Sequence, residues 1–490
     1  MFVEGERSAV ATVDERSCCE RRGRTDPASS GTISQCQLVP KRLGQHPENV
    51  ASVNVLSDPT KRRWLAWAAL ATVFLLVNLH RLSTAVLSDR LTTDFETTAA
   101  QLGTLHASFF LIYAAIQIPT GVLADRVGPR YVGSIGAVVL SVGAVGFALS
   151  ESYLLAFVSR GLIGLGSGVI FVSILRFCAN WYRTDEFATM AGLTGSVAGL
   201  GAILATTPLA VTVDSFGWRP TIVGLAVVGF VAGGAVFVLA RQSPADAGLE
   251  PIDGVPEQPS VSFTETGSYL RTLARDRDQW LLSVVFFAGN GSILTLLGLW
   301  GVPYLVVVYE LDVTTASYFT LLGSVGLLVG PPAIGWVSDR LGRRLLPMTA
   351  GMGLLAVAFS VVPIFGTPPL ALIAISYLGA GVLFGSAMLS LSAVKERYPA
   401  GASGVATATV NTAGFAGATI LPTVMGVALD AYQTGETVEG TVAYTEFGYR
   451  LAFAILAACL LLAFFSSLWL LARDGRDSST SADASSRLGP

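Results

Sequence analysis

Gly121-Val-Leu-Ala-Asp125-Arg126-Val-Gly128-Pro-Arg130 and Gly335-Trp-Val-Ser-Asp339-Arg340-Leu-Gly342-Arg343-Arg344 are two copies of one pattern, set 214 positions apart. Each copy follows the second long apolar segment of its half of the chain. The leading glycine carries no side chain and lets a neighbouring helix approach closely. Asp125 and Asp339 fall where a carboxylate can meet the positive N-terminal end of another helix. Gly128 and Gly342 suit a tight turn between antiparallel helices, and Arg126, Arg130, Arg340 and Arg343 anchor one face. A solvated basic turn would account for the arginines alone. It does not account for the repeated Gly-x-x-x-Asp-Arg-x-Gly order.

The chain around these loops is built for a lipid environment. Of its 490 residues 52% are hydrophobic and only 13% charged, so there is too little polar surface to cover a soluble globule. The apolar residues come in blocks of spanning length. Six helices are expected at about 64–86, 101–122, 131–150, 153–175, 187–211 and 219–240. Six more are expected at about 280–306, 315–337, 345–364, 369–393, 403–428 and 449–472. Residues 1–60 read as a disordered polar tail, 241–278 as a polar linker and 473–490 as a second polar tail. The expected fold is an all-α membrane protein, with twelve transmembrane helices in two pseudo-symmetric bundles over 64–240 and 280–472. A repeat on the scale of half the chain is characteristic of transport proteins.

Lysine and arginine set the expected orientation. With both termini in the cytoplasm, Lys61, Arg62, Arg63, Arg126, Arg130, Arg183, Arg340, Arg343, Arg344, Lys395, Arg397, Arg473 and Arg476 lie inside. Only Arg90, Arg219 and Arg450 lie in the outer loops, which are otherwise acidic. A multi-pass protein of the plasma membrane is expected, with the linker in the cytoplasm. Trp64, Trp67, Trp218, Trp280 and Trp300 read as interface anchors. The five cysteines and three histidines (His46, His80 and His106) show no ligand spacing, so neither a metal site nor a cofactor is expected. An enzyme would need a nucleophile or metal cluster, and the sequence offers none. Nothing points to nucleic acid, and a monomer is expected.

The paired loops resemble the G-x-L-a-D-r-x-G-r-r signature of the major facilitator superfamily, and the resemblance covers about 64–472. It implies a secondary transporter working by alternating access, in which the motif latches the two halves in the outward-facing state. Arg160-Gly-Leu-Ile-Gly164-Leu-Gly166-Ser-Gly168 is similar to the family's R-x-x-x-G-x-G segment. The small-residue-rich fifth and eleventh helices occupy the places of the family's gate-lining helices.

A charge inside a membrane helix is costly and marks a functional candidate. Arg81 lies roughly 25 Å along the first helix from Trp64, at about 1.5 Å per residue. Its planar fork of donors suits a carboxylate or phosphate. The alternative is that it reaches the outer headgroups or pairs with Asp89. Asn78-Leu-His80-Arg81 resembles the first helix of the superfamily's anion-transporting branch, which comprises organophosphate/phosphate antiporters and anion:cation symporters. That resemblance implies an anion-binding role for Arg81. Organophosphate antiporters add an arginine in helix 7, whereas this chain has none between Trp280 and Trp300 and reads Gly291-Ser-Ile-Leu-Thr-Leu there. His80 stands where some proton-coupled relatives hold an aspartate, and a histidine there could carry a coupling proton. Arg160 reads equally as substrate contact or packing residue. Tyr113, Gln117, Asn290 and Asn411 read as cavity lining or as interhelical hydrogen-bonding groups. The favoured substrate is a small organic anion, with H+ as coupling ion. A multidrug or sugar exporter of the same fold, and a non-transporting solute sensor, are the alternatives.

Overall fold

The computed structural model describes residues 58–250, 252, 255, 271–398, 400–438 and 441–487. Residues 1–57 of the expected tail and about half of the expected linker therefore lie outside the described residues. Spans 1 to 6 are Pro59–Leu82 continued by Thr84–Phe95, Ala99–Val127, Pro129–Ala148, Tyr153–Gly168 continued by Ile170–Trp181, Thr184–Leu204 continued by Thr207–Phe216, and Trp218–Leu239. Spans 7 to 12 are Arg277–Tyr309, Val313–Leu341, Leu345–Phe365, Leu370–Arg397, Ala400–Asp430 and Glu446–Arg487. Among the described residues, eleven spans are long and apolar enough to cross a membrane, and the bent pair of span 5, with 44° between its halves, makes a twelfth when taken as one span. The terminal face, where span 1 begins and span 12 ends, alternates with an opposite, distal face.

Local chemistry starts and stops these helices. Asp58 accepts from the backbone N–H of Thr60 at 2.9 Å, and Pro59 takes the first turn, where no N–H partner is needed. Thr98 and Gln101 form a reciprocal capping box at the start of span 2. Asp312 does the capping for span 8. Gly128 and Gly342 close spans 2 and 8 with φ of +84° and +61°, a region that disfavours side chains.

The internal repeat extends well beyond the two loops. Glu96 and Glu310 both take the left-handed conformation after spans 1 and 7, with φ of 48° and 54°. Thr98 and Asp312 cap the next helices, and both of those helices are 29 residues long. Each of these landmarks recurs 214 positions later.

Four features depart from the sequence reading. Span 5 is broken at Ala205-Thr206, because Pro208 has no N–H for the carbonyl of Leu204 and its ring crowds that carbonyl. Span 7 carries a π-helical turn at Leu296–Trp300, just before Pro303. Span 12 runs on through Arg487, past the boundary expected at 472. The fold is also not wholly helical. A hairpin of β1 (Gln433–Val438) and β2 (Thr441–Tyr444) joins spans 11 and 12, with Thr437 opposite Val442. Its Thr- and Val-rich strands sit in a polar loop that helix periodicity does not reach.

The tryptophans divide. Trp64 and Trp280 are exposed, as interface residues would be. Trp67, Trp218 and Trp300 are buried and donate to Thr194, Asp94 and the Pro422 carbonyl, at 3.2, 2.9 and 3.0 Å. Their indole N–H groups are satisfied by protein, which corrects the interface assignment for these three.

Candidate functional site

The site is built where the two bundles meet at mid-depth. Arg81, on span 1, is half-buried. Its Nη1 donates to Asn78 Oδ1 at 3.3 Å, one turn earlier on the same face. The guanidinium carbon sits 5.1 Å from the ring centre of Tyr113 on span 2 and 5.4 Å from that of Phe415 on span 11. Both distances fall within cation–π range, worth about 0.5–2 kcal/mol depending on desolvation. The two rings are themselves 4.4 Å apart. Among the described residues Arg81 makes no ion pair. The expected alternative of a pairing with Asp89 is not realised. Asp89 is buried further along span 1.

Gln117 follows Tyr113 by one turn, and Asn411 precedes Phe415 by one turn. Since spans 2 and 11 run in opposite directions, both amides lie on the terminal side of the aromatic pair, one from each bundle. Both are partly exposed.

The other intramembrane candidates are turned elsewhere. Arg160, fully buried in the N-terminal bundle, donates Nη2 to the His80 carbonyl at 3.0 Å and to Thr84 Oγ1. These groups flank Ser83, where span 1 breaks. A cation at that point satisfies carbonyls at a helix C-terminal end and offsets the dipole there. Arg160 is therefore buried inside the N-terminal bundle against span 1. The His80 ring is fully buried, and neither ring nitrogen has a hydrogen-bond partner. Successive helical residues point about 100° apart, so His80 does not join Arg81. Asn290 is buried and donates to the Gly414 carbonyl at 2.9 Å, tying span 7 to span 11.

The bundles touch closely on the distal side. Asp430 at the end of span 11 accepts from the backbone N–H groups of Ala99 and Ala100, each at 2.8 Å, and so caps span 2 from across the junction. A Cβ at Gly103 would lie 2.7 Å from the Pro422 carbonyl oxygen, and one at Gly426 would lie 2.4 Å from that of Ala99. Ser317 donates to Thr207 at 3.0 Å. On the terminal side, Cβ atoms built at Gly192, Gly195, Gly335 and Gly404 would meet nothing within 4 Å. The close contacts between the bundles recorded at these glycines thus lie on the distal side of the Arg81 site.

The loop motif is only partly in its expected setting. Gly335 has no close neighbour in this structure, contrary to the expected helix approach. Asp339 is exposed and pairs with Arg344, which also reaches Glu396 at 2.9 Å, in place of a helix N-terminus. Arg340 lies over Trp336, one turn back. Ser338 donates to the Arg343 carbonyl. Arg130 donates to the Phe237 carbonyl at 2.8 Å and covers that ring, capping span 6. Arg126 is exposed. The Asp125 side chain and the surroundings of Gly121 lie outside what the structure describes. At the same face Arg63 grips Glu186 through both Nη atoms, at 2.9 and 3.1 Å.

Residues 64–422 match the sequence profile of the Major Facilitator Superfamily. The chain belongs to that superfamily. It is a multi-pass membrane transporter of the facilitator type, and its family is one of transporters, not enzymes. A hexuronate transporter of Bacillus subtilis (strain 168) is 25% identical over 54% of this chain and 62% of its own length. A probable hexose phosphate transport protein of Chlamydia muridarum (strain MoPn / Nigg) is 23% identical over 76% of this chain and 83% of its own. Among solved structures, an inward-facing, unoccupied bacterial homologue of the human lysosomal transporter Spinster matches with a TM-score of 0.68 at 16% identity. That match covers 83% of this chain and 97% of the other, and it establishes the shared fold.

Phe415 and His106 were not singled out by the sequence reading. Phe415 is an apolar residue in an apolar helix and carries no local signal. His106 is fully buried on span 2, its ring edge against Gly298 of the π-helical turn. A lone histidine gives no spacing to read. Arg176, in the second half of span 4, was also passed over.

Proposed function

We propose that the protein carries a small organic anion across the plasma membrane by alternating access, with Arg81 binding the anionic group. One observation carries this reading: a half-buried guanidinium between spans 1, 2 and 11, with no carboxylate pairing it among the described residues. A buried or half-buried cation without a counter-charge is costly, and an anionic substrate supplies that charge. The relatives named for hexuronate and hexose phosphate handle anions of this kind. The terminal face, rich in arginine and lysine, is the cytoplasmic one, and the cavity then opens inward. Rocking of the bundles would part the Asp430 cap and the Gly103 and Gly426 contacts, opening the distal side. His80 is the proposed carrier of a coupling proton, reached when the outer packing loosens.

Uptake of labelled organic anions into proteoliposomes under an imposed pH gradient tests the proposal. Accumulation of at least one anion, dissipated by abolishing the gradient, supports it. Transport of lipophilic cations or neutral sugars with indifference to anions would instead favour an exporter of the same fold.

A further inference from the structure

A free arginine side chain samples many rotamers, and its planar fork binds an anion well only when held in one plane. The groups that hold Arg81 come from both bundles. Asn78 takes one in-plane N–H, and Tyr113 covers the guanidinium from span 2. Phe415 reaches it from span 11, and its ring cannot easily retreat. A Cβ at Gly414 would lie 2.3 Å from Phe286 Cδ1, and one at Gly417 would lie 2.2 Å from the Phe287 carbonyl oxygen. These two glycines seat that turn of span 11 directly on span 7. Asn290 adds its hydrogen bond to the Gly414 carbonyl. With that face fixed, the Phe415 side chain projects the other way, across the junction, onto Tyr113 and Phe110 with ring centres 4.4 and 6.3 Å away.

We propose that Phe415 is a positioning residue for the anion-binding guanidinium. Its ring lies against the Arg81 guanidinium, whose Nε is buried and unpartnered, and leaves the remaining Nη N–H groups to meet the anion. The anion site is then shared: the cation belongs to the N-terminal bundle, and one of the rings that aims it belongs to the C-terminal bundle. This rests on the reading of Arg81 as the anion's partner.

Equilibrium binding to the detergent-solubilised full chain tests it, with glucuronate and glucose 6-phosphate as probes. Phe415→Leu keeps the apolar volume and removes the π-face, and should weaken binding of the better probe about tenfold, equivalent to about 1.4 kcal/mol. Phe415→Tyr keeps the face and should recover affinity to within about threefold of the wild type, inside the spread expected of a conserved cation–π contact. Melting temperatures measured alongside separate aim from packing, because a packing role would make affinity follow stability. Wild-type affinity in Phe415→Leu, or equal loss in the Tyr and Leu variants, overturns the inference. Arg81→Gln separates the two claims. Lost binding there with intact binding in Phe415→Leu ends only the role of Phe415. Intact binding in Arg81→Gln, or a wild type that binds neither probe, ends the anion reading as well.

Discussion

Spans 1 and 7 hold repeat-related places in the two bundles, and both lose regular α-helical bonding at the same point. Span 1 breaks at Ser83, and span 7 passes through a π-helical turn at Leu296–Trp300, 214 positions on. Their side chains at this level differ completely. Asn78, His80 and Arg81 of span 1 correspond to Ser292, Leu294 and Thr295 of span 7, and Arg160 corresponds to Ala374. Thr295 is buried and satisfied within its own helix, donating to the Gly291 carbonyl at 2.7 Å. The two halves thus share a backbone pattern, while at these compared positions the arginines stand in the N-terminal bundle. The C-terminal bundle contributes an aromatic ring, tight glycine seats and the Asp430 cap.

The largest expected effect comes from removing the cation. Arg81→Gln should lower proteoliposome uptake by about a hundredfold or more, in line with the loss of a charge-assisted anion contact, with size-exclusion and melting behaviour preserved. The second arginine should behave in the opposite way. Arg160→Gln leaves the carbonyl and hydroxyl groups around Ser83 with fewer partners, at a cost of about 1–3 kcal/mol. The melting temperature should fall by several degrees, with uptake per folded molecule falling less than in Arg81→Gln. Equal loss of uptake in the two variants at equal stability would erase the distinction between them.

Gly103→Ala probes the distal packing. The added methyl would press on the Pro422 carbonyl, so the distal contacts should loosen. Labelling of a cysteine placed at Gly404, exposed in this conformation, should then slow by about threefold, the scale of a population shift near 0.6 kcal/mol. His80→Asn should flatten the pH dependence of uptake, and a fully retained pH profile would remove His80 from coupling. The smallest effect is expected at the repeat-related partner of Arg81. Thr295→Val preserves shape and should leave uptake within about twofold, as substitutions without a substrate contact commonly do. A large loss there would mean that the C-terminal bundle also contacts substrate.

The frame was legible in the sequence because it is written in repeated, spaced signals. Apolar block lengths, basic turns and the Gly128 and Gly342 turns fall where expected. Bends inside the blocks were less legible, since Pro208 interrupts span 5 without changing its hydropathy. At the site, Arg81 stood out because a charge in an apolar helix is rare. His80 and Arg160 stood out for the same reason, yet their helix faces turn them into the bundle interior. Phe415 carried no signal, because its importance comes from a contact across the junction between residues more than three hundred positions apart. Gly335 shows another limit: the close approach expected of it is not made in this structure.

The central claim is that charge on the substrate, read by the N-terminal bundle, decides what is carried. Uptake of paired solutes that differ only in charge, such as glucuronate against glucose, addresses it most directly, using wild-type protein in proteoliposomes at matched concentration. Anionic members of a panel of such pairs should accumulate while their neutral partners do not. Neutral partners carried as fast as the anions would contradict it.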